Sequence, residues 1–204
     1  MRQLPLEISP PAEPSFENFV PGENAEALAR VRELALGELR EAIVYLWGEV
    51  GSGRTHLLRA AGRANSSLVV IDDVAALDPD GQQRLFSAIN AARDGRAAVL
   101  AAGPAAPAAL DLRADLRSRL AWGLVYHLKP LGEAQKSRHL QDEARRRGLS
   151  LSDELAAYLL ARVPRDMATL TALLEALDRH ALARQRPLTL PLVREVLAES
   201  NGEG

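Results

Sequence analysis

The sequence contains no cysteine, few aromatic residues and no excess of charge of either sign, and each of these features excludes a class of protein. Without cysteine there is neither a disulfide nor a thiolate metal site, and the expected location is the cytoplasm. A net charge of -2 does not predict the basic surface that direct, sequence-specific DNA binding requires. No apolar run reaches the roughly 18 residues of a membrane span, so no membrane contact is expected. The 204 residues are instead typical of a globular protein with an aliphatic core.

Strand-like and helix-like segments alternate between residues 16 and 129. Four short apolar runs, at residues 42–47, 67–71, 97–102 and 123–128, predict buried strands. Amphipathic segments between the first three runs predict helices, with Asp78 and Pro79 entering the second of them. This alternation is typical of an α/β domain with a parallel sheet.

The two ends of the chain have a different character from this central region. Residues 1–15 contain four prolines and no sustained periodicity, which predicts a flexible tail. After Pro130 the strand-like runs stop, and four amphipathic helical segments follow as far as residue 198. We therefore expect a tail over residues 1–15, an α/β domain over residues 16–129 and an all-helical domain over residues 130–204.

The first strand runs directly into a glycine-rich stretch, residues 44–56, VYLWGEVGSGRTH. The eight residues that we call the phosphate loop, residues 48–55, match G-x-x-x-x-G-K-[ST] except at one position. In that motif, glycines let backbone N–H groups surround a phosphate, and the final hydroxyl ligates Mg²⁺. The residues concerned are Gly48, Gly51, Gly53, Arg54 and Thr55. The structural alternative is a glycine turn that only joins a strand to a helix.

Arg54 stands where the motif has lysine. Its planar guanidinium keeps the positive charge but is bulkier than an ammonium group, so nucleotide binding is favoured over turnover. Asp72 and Asp73, after the second strand, are the expected acidic partners, with Asp72 holding Mg²⁺ through water. For either aspartate the alternative is a helix-capping or surface role.

Four stretches, in this order along the chain, resemble the AAA+ module of the DnaA replication-initiator family and of the small DnaA-related regulators of the Hda family. They are residues 15–22 (SFENFVPG), the phosphate loop with the following His-Leu-Leu, residues 116–123 (LRSRLAWG) and residues 187–196 (PLTLPLVREV). The resemblance implies an AAA+ P-loop module with a small all-helical lid. It also implies that the first stretch packs against the adenine of a bound nucleotide, through Phe16, Asn18, Phe19 and Val20.

The third stretch contains Arg119, which the resemblance marks as an arginine finger. Such a residue acts across a subunit interface on the γ-phosphate held by a neighbour. The alternative is a solvated cation at a helix end. Because the chain ends at Gly204 without the DNA-binding domain of the initiator, we expect a regulator rather than an initiator.

The tail contains a peptide similar to those that dock on the bacterial sliding clamp. An extended segment of this kind would use a glutamine for polar contacts and apolar side chains to fill a pocket. The residues are Gln3, Leu4, Leu6 and Ile8. The alternative is a leader in which the leucines have no such role.

Three departures from the family pattern predict weak ATP hydrolysis by this chain alone. Arg54 replaces lysine, the end of the third strand carries no polar side chain, and Ala168 stands where the lid has an arginine, with Arg165 nearby. Proteins of the fold that the resemblance implies have a further strand and helix between the positions of Thr55 and Asp72, but only 16 residues separate the two here. We therefore expect this strand and helix to be missing and the sheet to have about four strands.

The resemblance implies a regulator that binds ADP or ATP, ADP more readily, with Mg²⁺ as a further ligand. Its expected partners are DnaA, whose ATP hydrolysis it would stimulate, and the sliding clamp. The oligomeric state stays open, with a homodimer as one alternative. The alternative functions are a nucleotide-free adaptor of AAA+ descent and a slow ATPase.

Overall fold

A computed structural model describes residues 13–162, 167–184 and 189–194. These residues divide into two compact units. One spans Pro14–Leu131, and the other begins at Gly132. The first unit contains the sheet and the phosphate loop, and the second is helical.

The sheet of the first unit has four strands, β1 (Ile43–Gly48), β2 (Val69–Ile71), β3 (Val99–Gly103) and β4 (Leu124–Leu128). Their order is β2-β3-β1-β4, and every neighbouring pair is parallel. The prediction of a reduced, four-stranded parallel sheet is therefore confirmed. With β1 in the interior of the sheet, the phosphate loop leaves the sheet between β3 and β4.

Four helices pack on this sheet, α1 (Ala25–Leu36), α2 (Arg54–Ala64), α3 (Pro79–Arg93) and α4 (Ala114–Leu120). The start of α3 follows from its sequence, because the Asp78 carboxylate accepts the Gly81 N–H at 2.6 Å and Pro79 needs no acceptor. The sequence did not predict α4, which has only seven residues. The spacing of its two buried leucines, Leu116 and Leu120, is the signal that was available.

Both faces of the sheet are covered, as a parallel sheet requires. Alternate side chains of β1 show this directly. Val44 and Leu46 join the core formed with α1 and α2, and Ile43 and Tyr45 join the core formed with α3 and α4. The near-continuous apolar run of β1 reflects burial on both sides.

Asn24 ties the start of α1 to the end of β4. Its side chain is 5% exposed and does not cap α1. Instead, its Nδ2 donates to the Lys129 carbonyl at 2.8 Å, and its Oδ1 accepts the Lys129 N–H at 2.9 Å. One amide thus pairs both main-chain groups of Lys129.

We expect Asn24→Ala to lower the free energy of unfolding by about 2 kcal/mol, because both main-chain groups of Lys129 lose their partner. Urea denaturation measures this change. Asn24→Asp keeps the acceptor but sets a buried carboxylate oxygen against the Lys129 carbonyl oxygen, so it should be at least as destabilising as Asn24→Ala. Equal stability of Asn24→Ala and the wild type would contradict the bridging role.

The second unit contains α5 (Glu133–Arg146), α6 (Asp153–Arg162) and α7 (Met167–Arg184), and residues 190–194 are also helical. Leucines from all three helices form its core, including Leu140, Leu155, Leu159, Leu173 and Leu177. Within the described part of the chain this unit has no strand, which confirms the all-helical prediction.

Candidate functional site

The phosphate loop leaves the end of β1 and enters α2 at Arg54. Gly51 and Gly53 adopt left-handed φ values of 84° and 95°, which glycine tolerates without the clash that a Cβ brings. Gly53 is the N-cap residue of the 11-residue helix α2, and no side chain caps the helix there. The first N–H groups of α2 therefore face the loop with the positive end of the helix dipole, which attracts an anion.

The interior of the phosphate loop is tight and partly unsatisfied. Ser52 is 4% exposed, and its Oγ has no hydrogen-bond partner among the described residues. A Cβ on Gly48 would lie 2.2 Å from the Leu128 carbonyl oxygen, so only glycine allows the loop this close to β4. Thr55 lies exposed in the first turn of α2. An orphaned hydroxyl, an uncapped helix start and an accessible threonine fit a bound phosphate with Mg²⁺.

The segment before α1 packs against this loop. Ser15 and Asn18 bond to each other, through Ser15 N–H to Asn18 Oδ1 at 2.8 Å and Asn18 N–H to Ser15 Oγ at 3.3 Å. The Ser15 carbonyl lies 2.9 Å from His56 Nε2 on α2. The Phe19 ring lies 5.3 Å from the His56 ring, centroid to centroid, in a tilted arrangement. Phe19 is thereby held beside Gly53, whose Cβ would be 2.6 Å from the ring.

The four residues predicted to line the adenine therefore have different surroundings. Phe19 contacts the loop, Phe16 packs against the core on the α1 and α2 side, Asn18 shapes the turn, and Val20 is half-buried. His56, which the sequence analysis named only as part of the family resemblance and not as a site residue, joins this segment to α2. Its position immediately after the loop hydroxyl, Thr55, was the available signal.

We expect Gly53→Ala to weaken ADP binding about tenfold more than Gly51→Ala. Both changes add the strain of a left-handed alanine, about 1–2 kcal/mol. Only the Cβ at position 53 also collides with Phe19, whereas the Cβ at position 51 meets nothing within 4 Å. Titration of a fluorescent ADP measures both. Equal losses would show that Phe19 does not constrain the loop.

Asp72 and Asp73 are both exposed at the end of β2. Asp73 has a left-handed φ of 59°, and its carboxylate accepts the Ala75 N–H at 3.2 Å. This contact is the capping role that the sequence left open for Asp73.

Tyr45 lies on β1, opposite Ala101 of the neighbouring strand β3. Burial raises the pKa of its hydroxyl, the nearby Arg54 opposes this effect, and Asp73 adds to it. The hydroxyl donates to the Ala105 carbonyl at 2.8 Å and would be 2.3 Å from a Cβ at Gly103. A side chain at position 103 would therefore clash with Tyr45, which gives a physical reason for part of the missing polar side chain at the end of β3.

Arg119 lies on α4, apart from the phosphate loop. Its Nε donates to Asn90 Oδ1 at 3.1 Å, and its guanidinium lies 4.1 Å from the centre of the Phe86 ring and 4.9 Å from that of Trp122. Trp122 borders a groove at the start of β1, beside Ile43. The phosphate loop begins at the other end of this strand, about 16 Å away at 3.3 Å per residue. Arg119 is thus placed near the sheet edge opposite its own loop.

Two groups of predicted residues lie outside the described residues. These are the clamp-binding peptide, Gln3, Leu4, Leu6 and Ile8, and the lid residue Arg165. Ala168 belongs to the backbone of α7, but its side chain is not described.

Residues 133–197 match the family model described as "Hda, lid domain". The fold is similar to domain III of the replication initiation protein DnaA of Thermotoga maritima, with a TM-score of 0.67 and 21% identity over 94% of this chain and 98% of that one. The chain thus has the AAA+ fold of DnaA domain III, and its helical region matches the lid domain of Hda.

Other solved structures agree on this AAA+ fold. AMPPCP-bound DnaA from Aquifex aeolicus is similar to this AAA+ protein with a TM-score of 0.66 and 22% identity, over 84% of this chain and 66% of that one. A RuvB variant (A156S) of Thermotoga maritima matches with a TM-score of 0.60 and 16% identity, over 91% and 71% respectively. Within the described residues, no helix of this AAA+ protein has the length and apolar character to cross a membrane.

Proposed function

We propose that this AAA+ protein regulates bacterial replication initiation by binding DnaA and stimulating the hydrolysis of DnaA-bound ATP. The observation that carries this proposal is the placement of Arg119. The side chain is held by an amide and two aromatic rings near the edge of the sheet opposite its own phosphate loop. From there its guanidinium serves a nucleotide bound to a neighbouring molecule, not the one in its own loop. The Hda lid domain supports DnaA as that neighbour.

The phosphate loop binds an adenine nucleotide, ADP in preference to ATP. The N–H groups at the start of α2 and Arg54 hold the phosphates. Thr55 and, through water, Asp72 would hold Mg²⁺, which would neutralise phosphate charge. The binding of AMPPCP by the related DnaA supports this assignment. Phe19, fixed against Gly53, provides the apolar side of the site.

The bound nucleotide has a structural rather than a catalytic role. Arg54 replaces the compact lysine cation with a planar group. The Asp73 carboxylate is engaged with the Ala75 N–H. The end of β3 is apolar, with the Tyr45 hydroxyl against Gly103 and bonded to Ala105. Each of these features removes a group that would position a water molecule or sense the γ-phosphate.

The tail peptide around Gln3, Leu4, Leu6 and Ile8 tethers the protein to the sliding clamp. Clamp binding raises the effective concentration of the regulator near DnaA at newly replicated DNA, and it does so without any additional contact between the regulator and DnaA. Initiator activity is thereby coupled to replication.

The test is ATP hydrolysis by DnaA in the presence of DNA-loaded clamp, with and without this protein. We expect acceleration, and we expect this protein alone to show none of that turnover. Acceleration without the clamp would remove the tether from the proposal. If this protein binds ADP but does not accelerate ATP hydrolysis by DnaA, it is an adaptor. If this protein hydrolyses ATP on its own and Asp72→Ala loses that activity, it is an ATPase.

Nucleotide binding has an independent test. ADP should raise the melting temperature by mass action, by an amount that grows with ADP concentration. A melting temperature that does not respond to millimolar ADP would show that the loop does not hold nucleotide.

A further inference from the structure

The guanidinium groups of two arginines lie close to the indole ring of Trp122. The guanidinium carbons of Arg93 and Arg119 each lie 4.9 Å from the centre of the ring. The two cations are therefore no further apart than twice that distance. Trp122 is 45% exposed. We call Arg93, Trp122 and Arg119 the cationic surface.

Neither arginine of the cationic surface forms an ion pair within the described residues. Arg119 donates to the amide oxygen of Asn90 and to the main-chain oxygen of Asp115. The nearby Arg96, by contrast, pairs with Asp94 at 2.7 Å. Among the described residues, no carboxylate pairs with and neutralises the positive charge of the cationic surface.

Two like charges at one ring repel each other, and the face of the indole offsets part of this cost. The remaining positive potential extends into solvent, where it attracts and orients an anionic partner. A chain with a net charge of -2 otherwise has no global attraction for such a partner. The cationic surface therefore sets the orientation in which an anionic partner approaches this protein.

A groove of about 290 Å³ lies beside the indole. Arg40 and Arg93 contribute two cations to its lining and Glu41 one anion, and the apolar wall includes Ile43 and the indole itself. This combination can receive an acidic side chain of a partner together with its apolar stem.

We propose that the cationic surface docks on a carboxylate-bearing face of the partner whose nucleotide Arg119 serves. Arg93 binds carboxylates of the partner protein, and Trp122 positions Arg93 and Arg119 relative to each other. This inference rests on the proposed function, and it adds the interaction that brings Arg119 to the nucleotide of the partner.

The first test compares Arg93→Ala with Arg96→Ala in the stimulation of DnaA. Both changes remove one arginine from the same part of the surface, but Arg96 is already paired with Asp94. We expect Arg93→Ala to raise about two- to fivefold the concentration of this protein that gives half-maximal stimulation of DnaA. The maximal rate of hydrolysis should be unchanged, and the half-maximal concentration should depend less on salt. Arg96→Ala should leave all three at the wild-type values. Equal effects of the two changes would mean that only the net charge of this region matters, and this result would overturn the proposal.

The nature of the anion is tested by direct binding to purified DnaA, without DNA or clamp, in the ATP and ADP forms. Carboxylates are present in both forms, so Arg93→Ala should weaken binding equally in each. A loss confined to the ATP form would indicate a phosphate contact, and a loss seen only with DNA would indicate nucleic acid. Either result would overturn the assignment to carboxylates.

The positioning role of Trp122 has a readout that needs no partner. The chain contains two tryptophans, so Trp47→Phe leaves Trp122 as the reporter. Its emission should shift on Arg93→Ala and on Arg119→Ala, and should not shift on Arg96→Ala. Unchanged emission in both of the first two variants would contradict the cluster in solution.

Substitution of Trp122 separates the inference from the proposed function. Trp122→Leu should both raise the concentration of this protein that gives half-maximal stimulation and lower the maximal rate. Trp122→Phe should bring both quantities most of the way back to their wild-type values. When Arg93 is already alanine, Trp122→Leu should lower only the maximal rate. If the wild-type protein does not accelerate ATP hydrolysis by DnaA, the proposed function fails. If it does, and the Arg93 variants behave as the wild type, only this inference fails.

Discussion

Arg119→Ala should abolish the stimulation of DnaA-bound ATP hydrolysis while leaving the protein folded and able to bind ADP. An arginine finger supplied in trans contributes about 10³–10⁵ in rate, because its charge meets the charge that develops in the transition state. Alanine removes that charge completely. The measurement is the single-turnover rate of ATP-loaded DnaA with saturating variant and DNA-loaded clamp.

Arg119→Lys is the matched variant for this prediction. Lysine keeps one positive charge but loses the planar group that donates to Asn90 and lies against Phe86 and Trp122. We expect it to recover only a small part of the stimulation. Full recovery would mean that the charge alone is needed and that the contacts of the guanidinium are incidental. Full activity of Arg119→Ala would remove the finger from the proposal.

Gly123→Ala should destabilise the protein by about 3 kcal/mol, through a clash that no side-chain rotation can relieve. A Cβ at this position would lie 2.0 Å from the main-chain oxygen of Ile43. Gly123 comes directly before β4, which pairs with β1 from Val44 onwards. The strands must separate at this point, and the change is measured as a fall in the free energy of unfolding in urea.

Gly62→Ala is the matched control for that prediction. Gly62 lies within α2, where a Cβ would make an ordinary contact at 3.5 Å with Val70. Alanine should therefore raise stability by about 0.5–1 kcal/mol through its higher helix propensity. Similar losses in both variants would show that the close approach of β1 at Gly123 is not the cause.

This difference between two glycines bears on the motif that contains Arg119. Trp122 and Gly123 are neighbours in the sequence, but their roles differ. Gly123 permits the close approach of β1 and β4, and Trp122 contacts the arginines. Only the packing of the sheet distinguishes Gly123, which has a structural role, from Trp122, which contacts the proposed arginine finger.

Much of the fold was predictable because it depends on local pattern. The four strands appear as short apolar runs, and each was predicted within two residues of its observed bounds, as the run at 42–47 and β1 (Ile43–Gly48) show. The start of α3 follows from Asp78 and Pro79. The seven-residue helix α4 was not predicted, since a single buried pair, Leu116 and Leu120, gives too little periodicity to identify it.

The candidate site was predictable in its residue types but not in its contacts. The order of glycines, arginine and threonine in residues 48–55 is a local feature of the sequence, and it determines that this turn can surround a phosphate. The contact of His56 with Ser15 joins residues 41 positions apart, and that of Arg119 with Asn90 joins residues 29 positions apart. No local pattern encodes such pairs.

The sequence by itself determined the strands, most of the helices, the phosphate loop and the resemblance to the DnaA and Hda families, because each depends on residues close together along the chain. Only the tertiary structure decided that Phe19 constrains Gly53 and that Arg93 and Arg119 share the ring of Trp122. These contacts depend on which helices pack side by side on the sheet. That arrangement is set by the burial of both sheet faces rather than by any single segment.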